Sequence, residues 1–147
     1  MIKEVKISQL TQEDAALASA ARHATALSYS PYSHFNVGAA VLLANGKTVQ
    51  GANQENASYP VGICAERSTI ATAHNLYPKV PITAIALAAK DMSGEITQEV
   101  VTPCGMCRQT IIECENRFKN RIRIIMTSRE KALIAEGISD LLPIAFT

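Results

Sequence analysis

A three-layer α/β/α domain with a mixed sheet of about five strands is the fold class that this sequence predicts, on three observations. Continuous apolar runs of strand length, Val37 to Leu43 above all, read as strands covered on both faces. From residue 64 onward, stretches with helical apolar spacing alternate with such runs. The third observation is size: 147 residues with 48% hydrophobic content fit one compact domain, residues 1–147, with a sizeable core.

Thr11-Gln12-Glu13-Asp14 has the form of a helix cap, and Leu17, Ala20, Ala21, Ala24 and Leu27 recur behind it, predicting a helix to about Tyr29. Its alanine-rich face suits close packing on a sheet. Ser30-Pro31-Tyr32-Ser33 breaks the helix, and Val37 to Leu43 follows as a central strand. Asn45-Gly46 is the favoured pair for a two-residue hairpin turn, so Lys47 to Ala52 should return antiparallel. A loop from Asn53 to about Ile63 leads to a helix at 64–76, a strand at 82–89, a helix at 104–118 and a strand at 122–127. Pro78, Pro81 and Pro103 punctuate these boundaries, and strands alternating with helices imply parallel pairing. Gly137 to Thr147, with Leu141-Leu142-Pro143, closes the chain with room for one short helical turn. The sequence shows no internal repeat, low-complexity tract or linker.

A formal net charge of +1 excludes the strongly basic surface with which nucleic-acid binders meet a phosphate backbone. Lys119, Arg121, Arg123, Arg129 and Lys131 form a locally basic stretch, but it lacks aromatics for stacking bases and reads as a solvated edge. Met1 to Lys6 lacks the apolar core of a signal peptide, and nothing approaches the ~18 uninterrupted apolar residues of a membrane span. The expectation is a soluble, cytoplasmic protein with a small, roughly neutral substrate and neither nucleic acid nor membrane as partner. Four cysteines in that compartment are metal ligands or buried thiols rather than disulfides.

Cys104-Gly105-Met106-Cys107 stands directly behind Pro103 at the start of a predicted helix, and Cys64-Ala65-Glu66 opens another. Helix N-termini stabilise negative charge, which lowers thiolate pKa and prepares sulfur for Zn²⁺. Redox pairs and structural zinc sites share a lone Cys-x-x-Cys, but a third thiolate from Cys64 converging on the same point would give zinc three protein ligands and leave one position for water, as in a catalytic rather than a structural site. Cys114 is excluded as a fourth ligand: seven residues beyond Cys107 on one helix is roughly 10 Å at ~1.5 Å per residue, against a bond of ~2.3 Å. With Cys107, Thr110, Ile111 and Phe118 it marks a buried helix face instead. His23, His34 and His74 each stand alone, without a second ligand at metal spacing. Glu66, two residues from a ligand, can then act as general base, a role worth ~10²–10⁴-fold.

These motifs resemble the zinc deaminases, and within them the cytidine deaminase family that acts on free nucleosides. Cys64-Ala65-Glu66 and Pro103-Cys104-Gly105-Met106-Cys107 match the three-cysteine form. Ser30 to Ala40, Asn53 to Arg67, Pro103 to Gln109 and Leu141 to Phe146 look like the family's motifs in order, spanning most of the chain. The resemblance implies one Zn²⁺ per subunit on Cys64, Cys104 and Cys107, and proton shuttling by Glu66 from water to ring nitrogen 3 and then to the departing amine. It implies that the Ala65 N–H holds the base oxygen, that Asn53 and Glu55 bind the ribose 3′-hydroxyl, and that Phe35 packs on the base. Phe146 would come from a neighbouring subunit of a homotetramer. Arg67 and Arg108, each next to a ligand cysteine, would donate to a zinc-bound sulfur and offset the negative three-thiolate centre. Departures are few: Asn36 stands where proline is frequent, Met106 where a small residue is frequent, and the chain stops one residue after Phe146.

Taken alone, Asn53 and Glu55 are loop residues, Phe35 a core side chain and Phe146 a chain-end anchor; the adjoining motifs raise them above that. A deaminase of cytosine-containing aminonucleoside antibiotics could share the same centre, although the Asn53/Glu55 pair argues for an ordinary ribose. A non-catalytic module with purely structural zinc is opposed by Glu66 and by the lack of a fourth ligand.

Overall fold

The computed structural model describes residues 1–147. Its six strands are β1 (Lys3–Lys6), β2 (Asn36–Leu43), β3 (Thr48–Ala52), β4 (Ile82–Lys90), β5 (Arg123–Thr127) and β6 (Lys131–Ala135), and its three helices are α1 (Gln12–Ala24), α2 (Ala65–Leu76) and α3 (Gly105–Phe118). The strands form one mixed sheet in the order β1-β6-β5-β4-β2-β3. No helix is long and apolar enough to cross a membrane.

Alternation along the strands separates two apolar layers. Ala39, Val41 and Leu43 of β2, Ile85 and Leu87 of β4, and Ile124 and Met126 of β5 face α2 and α3 and form the larger core with Ile70 and Ile111. The opposite face carries mostly alanine: Ala40, Ala84, Ala86 and Ala88 pack against Leu17 and Ala21 of α1. Small residues on both sides bring α1 close, and Gly38 marks the tightest approach. A Cβ there would lie 2.2 Å from the Ala21 carbonyl oxygen and 2.6 Å from the Thr25 nitrogen.

The sequence predicts about five strands and the sheet has six. β1 and β6 were unassigned; they pair with each other antiparallel, and β1 is an edge strand whose charged Lys3-Glu4-Val5-Lys6 buries little. Parallel pairing holds for one ladder only, β4 with β5. β4 joins β2 antiparallel, so β3 and β4 run the same way with β2 between them. The hairpin turn has three residues rather than two. Gly46 N–H closes onto the Leu43 carbonyl and Leu43 N–H onto that of Lys47, each at 2.9 Å, with Gly46 at φ +85°. The two-residue form would need positive φ at Asn45 as well, and Asn45 does not have it.

Thr11 caps α1, its hydroxyl accepting the Asp14 N–H at 3.2 Å. The helix stops at Ala24 instead of Tyr29: the Thr25 hydroxyl turns back to the Arg22 carbonyl at 2.6 Å, and residues 25–27 tighten into a 3₁₀ turn. Leu27 is therefore exposed, off the buried stripe. The expected short turn near the C-terminus is a 3₁₀ turn at Ile138–Asp140.

This topology builds the site. β3 and β4 are parallel to one another, so their C-terminal ends lie at one end of the sheet and feed the starts of α2 and α3. β2 runs the opposite way, which brings its N-terminal end, with Phe35 just before it, to the same place.

Candidate metal centre and active site

Cys64 is the N-cap of α2 and Cys104 the N-cap of α3, while Cys107 lies in the first turn of α3. Their sulfurs converge: Cys64 to Cys104 is 3.7 Å and Cys104 to Cys107 is 3.6 Å. A tetrahedral ion with Zn–S bonds of ~2.3 Å holds its sulfurs roughly 3.8 Å apart, which these two spacings match, and all three sulfurs lie within 4.8 Å of one another. No disulfide links any of the four cysteines. Hydrogen bonding with Cys107, assisted by Cys104 and the Arg67 charge, lowers the Cys64 thiol to about 6. Cys114 stands apart, buried on α3 with Ile111, its thiol pushed up to about 11 by burial. None of the three histidines joins the cluster.

Glu66 lies in the first turn of α2 and is only 5% exposed. Burial pushes its carboxyl above the usual range, against a hydrogen bond with Cys107 and the Arg67 charge. Ala65, at the first helical position, contributes an N–H that no intrahelical carbonyl can accept, a donor available at a helix start.

Beside these groups is a cavity of about 330 Å³ whose walls include Phe35, Asn53, Glu55, Cys64, Ala65 and Glu66. It adjoins a second, of about 350 Å³, that shares Glu55 and Gly62 and adds Tyr32, Ser33, Asn56 and Tyr59. Neither is lined by lysine or arginine. Phe35 is 38% exposed, so it is a wall of the cavity rather than a core side chain.

Asn53 and Glu55 are heavily engaged with the chain itself. The Asn53 carbonyl oxygen accepts from the Ser28 hydroxyl at 2.5 Å and the Val37 N–H at 2.9 Å, and its Nδ2 donates to the Phe35 carbonyl at 2.9 Å. Glu55 Oε1 accepts the N–H groups of Tyr32 and Ser33 at 3.0 and 3.1 Å, and Oε2 accepts the Ser33 hydroxyl. The Ser33 hydroxyl, with its backbone N–H next, holds the Glu55 carboxyl below its ordinary value. What remains for a ligand is one Nδ2 proton on Asn53 and free lone pairs on Glu55, a donor and an acceptor that suit one hydroxyl.

The arginines part company. Arg67 Nη1 reaches Met106 Sδ at 3.9 Å and its charge acts on Cys64. Arg108 makes no hydrogen bond to a cysteine sulfur. Its Nε donates to the Pro103 carbonyl at 2.9 Å and its Nη1 to the Leu141 carbonyl at 2.7 Å, bracing the loop before Cys104 against the C-terminal segment. Phe146 does not line its own chain's cavity; it is 85% exposed, with Gln109 Nε2 donating to its carbonyl at 2.9 Å. Sequence reasoning missed Val101 and Thr102, which also line the cavity just before Pro103, and it gave Ser33 no role of its own although that residue lies in the Ser30 to Ala40 motif and lines the adjoining cavity.

The model of the cytidine and deoxycytidylate deaminase zinc-binding region matches residues 11–121, which include all three converging cysteines and Glu66. The chain belongs to this deaminase family. A cytidine deaminase of Halalkalibacterium halodurans is 38% identical over 120 residues, covering 81% of this chain and 83% of the relative. The crystal structure of cytidine deaminase from Burkholderia pseudomallei superposes with a TM-score of 0.77 at 36% identity, covering 93% of this chain and all of the other. A blasticidin-S deaminase of Bacillus cereus is 26% identical, covering 97% of this chain and 99% of the relative. Of these three, the two named as cytidine deaminases are the more similar in sequence.

Proposed function

We propose that this protein hydrolyses the exocyclic amine of cytidine and deoxycytidine, converting nucleoside and water to uridine or deoxyuridine and ammonia. The observation that carries the reading is the buried Glu66 carboxyl beside three thiols at zinc spacing, opening on a cavity without a cation. Cys64, Cys104 and Cys107 would hold the zinc, which would supply Lewis-acid activation of water near neutral pH. Glu66 takes a proton from the attacking water and delivers it to ring nitrogen 3; it then takes the proton of the new C4 hydroxyl and passes it to the amine, which leaves as ammonia while the C4 carbonyl forms. Burial raises the Glu66 carboxyl above the ordinary value, the direction that a general acid/base working near neutral pH requires. The Ala65 N–H holds the base oxygen, and the ring of Phe35 packs on the base. The spare Nδ2 proton of Asn53 and a free lone pair of Glu55 take the ribose 3′-hydroxyl.

A nucleoside rather than a nucleotide suits the site, because both adjoining cavities lack arginine and lysine to receive a phosphate. The antibiotic deaminase reading is disfavoured by the lower identity of that relative and by the Asn53/Glu55 pair. In the arrangement we favour, residues 1–147 act as one catalytic domain within a cytoplasmic homotetramer serving pyrimidine salvage. The exposed ring of Phe146 then completes a neighbour's site. Arg67 offsets the negative centre through its charge beside Cys64, while Arg108 contributes by bracing rather than by a bond to sulfur. Ammonia release from cytidine, measured together with zinc content, tests the reading. Turnover with about one zinc per chain is expected, and full zinc loading without ammonia release would mark the metal as structural.

A further inference from the structure

The side chains proposed to bind the sugar and the base are joined by one hydroxyl. Ser33 Oγ donates to Glu55 Oε2 at 2.5 Å and accepts the Phe35 N–H at 3.1 Å. Glu55 Oε1 meanwhile holds the N–H groups of Tyr32 and Ser33, so both carboxylate oxygens are engaged with the Tyr32-Ser33 segment. In the turn that presents Phe35, His34 sits at φ +55°, in the left-handed region that non-glycine residues seldom adopt, with its N–H on the Ser30 carbonyl at 2.9 Å. On the far side of Phe35, Asn53 takes its carbonyl. The Phe35 backbone is thus fixed at N–H by Ser33 and at C=O by Asn53, and its ring is a wall of the cavity.

We infer that Ser33 is a positioning residue coupling the sugar-binding carboxylate of Glu55 to the base-packing ring of Phe35, an inference that rests on the function proposed above. A carboxylate oxygen has two lone-pair sites. On Oε2 the Ser33 hydroxyl occupies one and leaves the other for a sugar hydroxyl. A rotation of Glu55 toward or away from the sugar is transmitted through Ser33 Oγ to the Phe35 N–H. Correct seating of the ribose therefore sets the aromatic wall against the base, and a substrate that misplaces the sugar loses contact at both ends.

The test is steady-state kinetics on cytidine, with calorimetric binding of the product uridine, for wild type, Ser33→Ala, Ser33→Thr, Glu55→Gln and the Ser33→Ala/Glu55→Gln double variant. Removing a hydrogen bond to a charged group from ground-state and transition-state binding alike should raise KM for Ser33→Ala about ten-fold or more and leave kcat within about three-fold. Uridine binding should weaken by the same factor. Ser33 is exposed, so threonine has room for its methyl and should restore KM. Because the two side chains act as a unit, the double variant should be no worse than Glu55→Gln alone. An unchanged KM in Ser33→Ala, additive losses in the double variant, failure of threonine to restore, or loss of folding in Ser33→Ala would each overturn the assignment. Absence of cytidine turnover in wild type would instead sink the proposed activity, leaving Ser33 to be decided by uridine binding.

Discussion

Glu66 and the three cysteines were readable from the sequence because their chemistry is local: each pair of groups lies within a few residues at the start of one helix. Glu66→Gln should keep the fold and the zinc yet lose at least the ~10²–10⁴-fold of a general acid/base, since an amide cannot shuttle a proton. Turnover of cytidine near the wild-type rate in that variant would remove Glu66 from the mechanism. Cys114 tests the ligand set from the other side. Burial pushes its thiol up to about 11, so the reactive thiolate is scarce there near neutral pH. Cys114→Ala should retain one zinc per chain, and native Cys114 should resist alkylation that metal-stripped Cys64 accepts; loss of zinc in Cys114→Ala with an intact fold would overturn the set. Asn53 and Glu55 were less legible. The loads they carry on Phe35, Val37, Tyr32 and Ser33 arise only when distant segments meet. A purely sugar-binding pair would spare the turnover of bare cytosine when removed. The structure leads to a different expectation: Asn53→Ala should impair even cytosine turnover by loosening Phe35, and an effect confined to cytidine would mean that Phe35 keeps its place without it.

At the scale of elements, long periodic segments declared themselves. The predicted ranges 82–89 and 104–118 differ from β4 and α3 by one residue at one end. β1 and β6 did not, because a strand of four residues with two lysines and a glutamate, and a five-residue strand flanked by charge, carry too few alternations to stand out. The hairpin misread one residue because Asn-Gly suits more than one turn, and only the register of β2 on β3 decides which forms. Packing of α1 on the sheet gives a sharp test at Gly38, where an added Cβ would press on helix backbone that cannot swing aside. Gly38→Ala should cost about 3 kcal/mol, the upper end of ordinary overpacking, and lower Tm by roughly 6 °C or more in a domain of this size. A Tm within about 1 °C of wild type would show that α1 can lift away from β2 at little cost, contrary to the alanine-on-alanine contact.

For the whole molecule, one end of the sheet gathers the start of β2, the ends of β3 and β4, and the N-termini of α2 and α3, so residues far apart in sequence meet around one cavity. The exposed Phe146 and Ile144 lie outside that cavity, which is the reason to look for a neighbouring copy. Co-expression of Glu66→Ala with Phe146→Ala should form mixed oligomers in which some sites combine an intact Glu66 with an intact Phe146. Activity per Phe146→Ala chain should then exceed that of the pure variant, and no rise in verified mixed oligomers would place Phe146 within its own subunit. The most direct test of zinc-dependent cytidine deamination is ammonia release from cytidine by the purified protein as zinc is removed by chelation and restored. Release should vanish with the metal and return in proportion to zinc bound, reaching its maximum at about one per chain. Ammonia release that persists without zinc, or none at full occupancy, would contradict it.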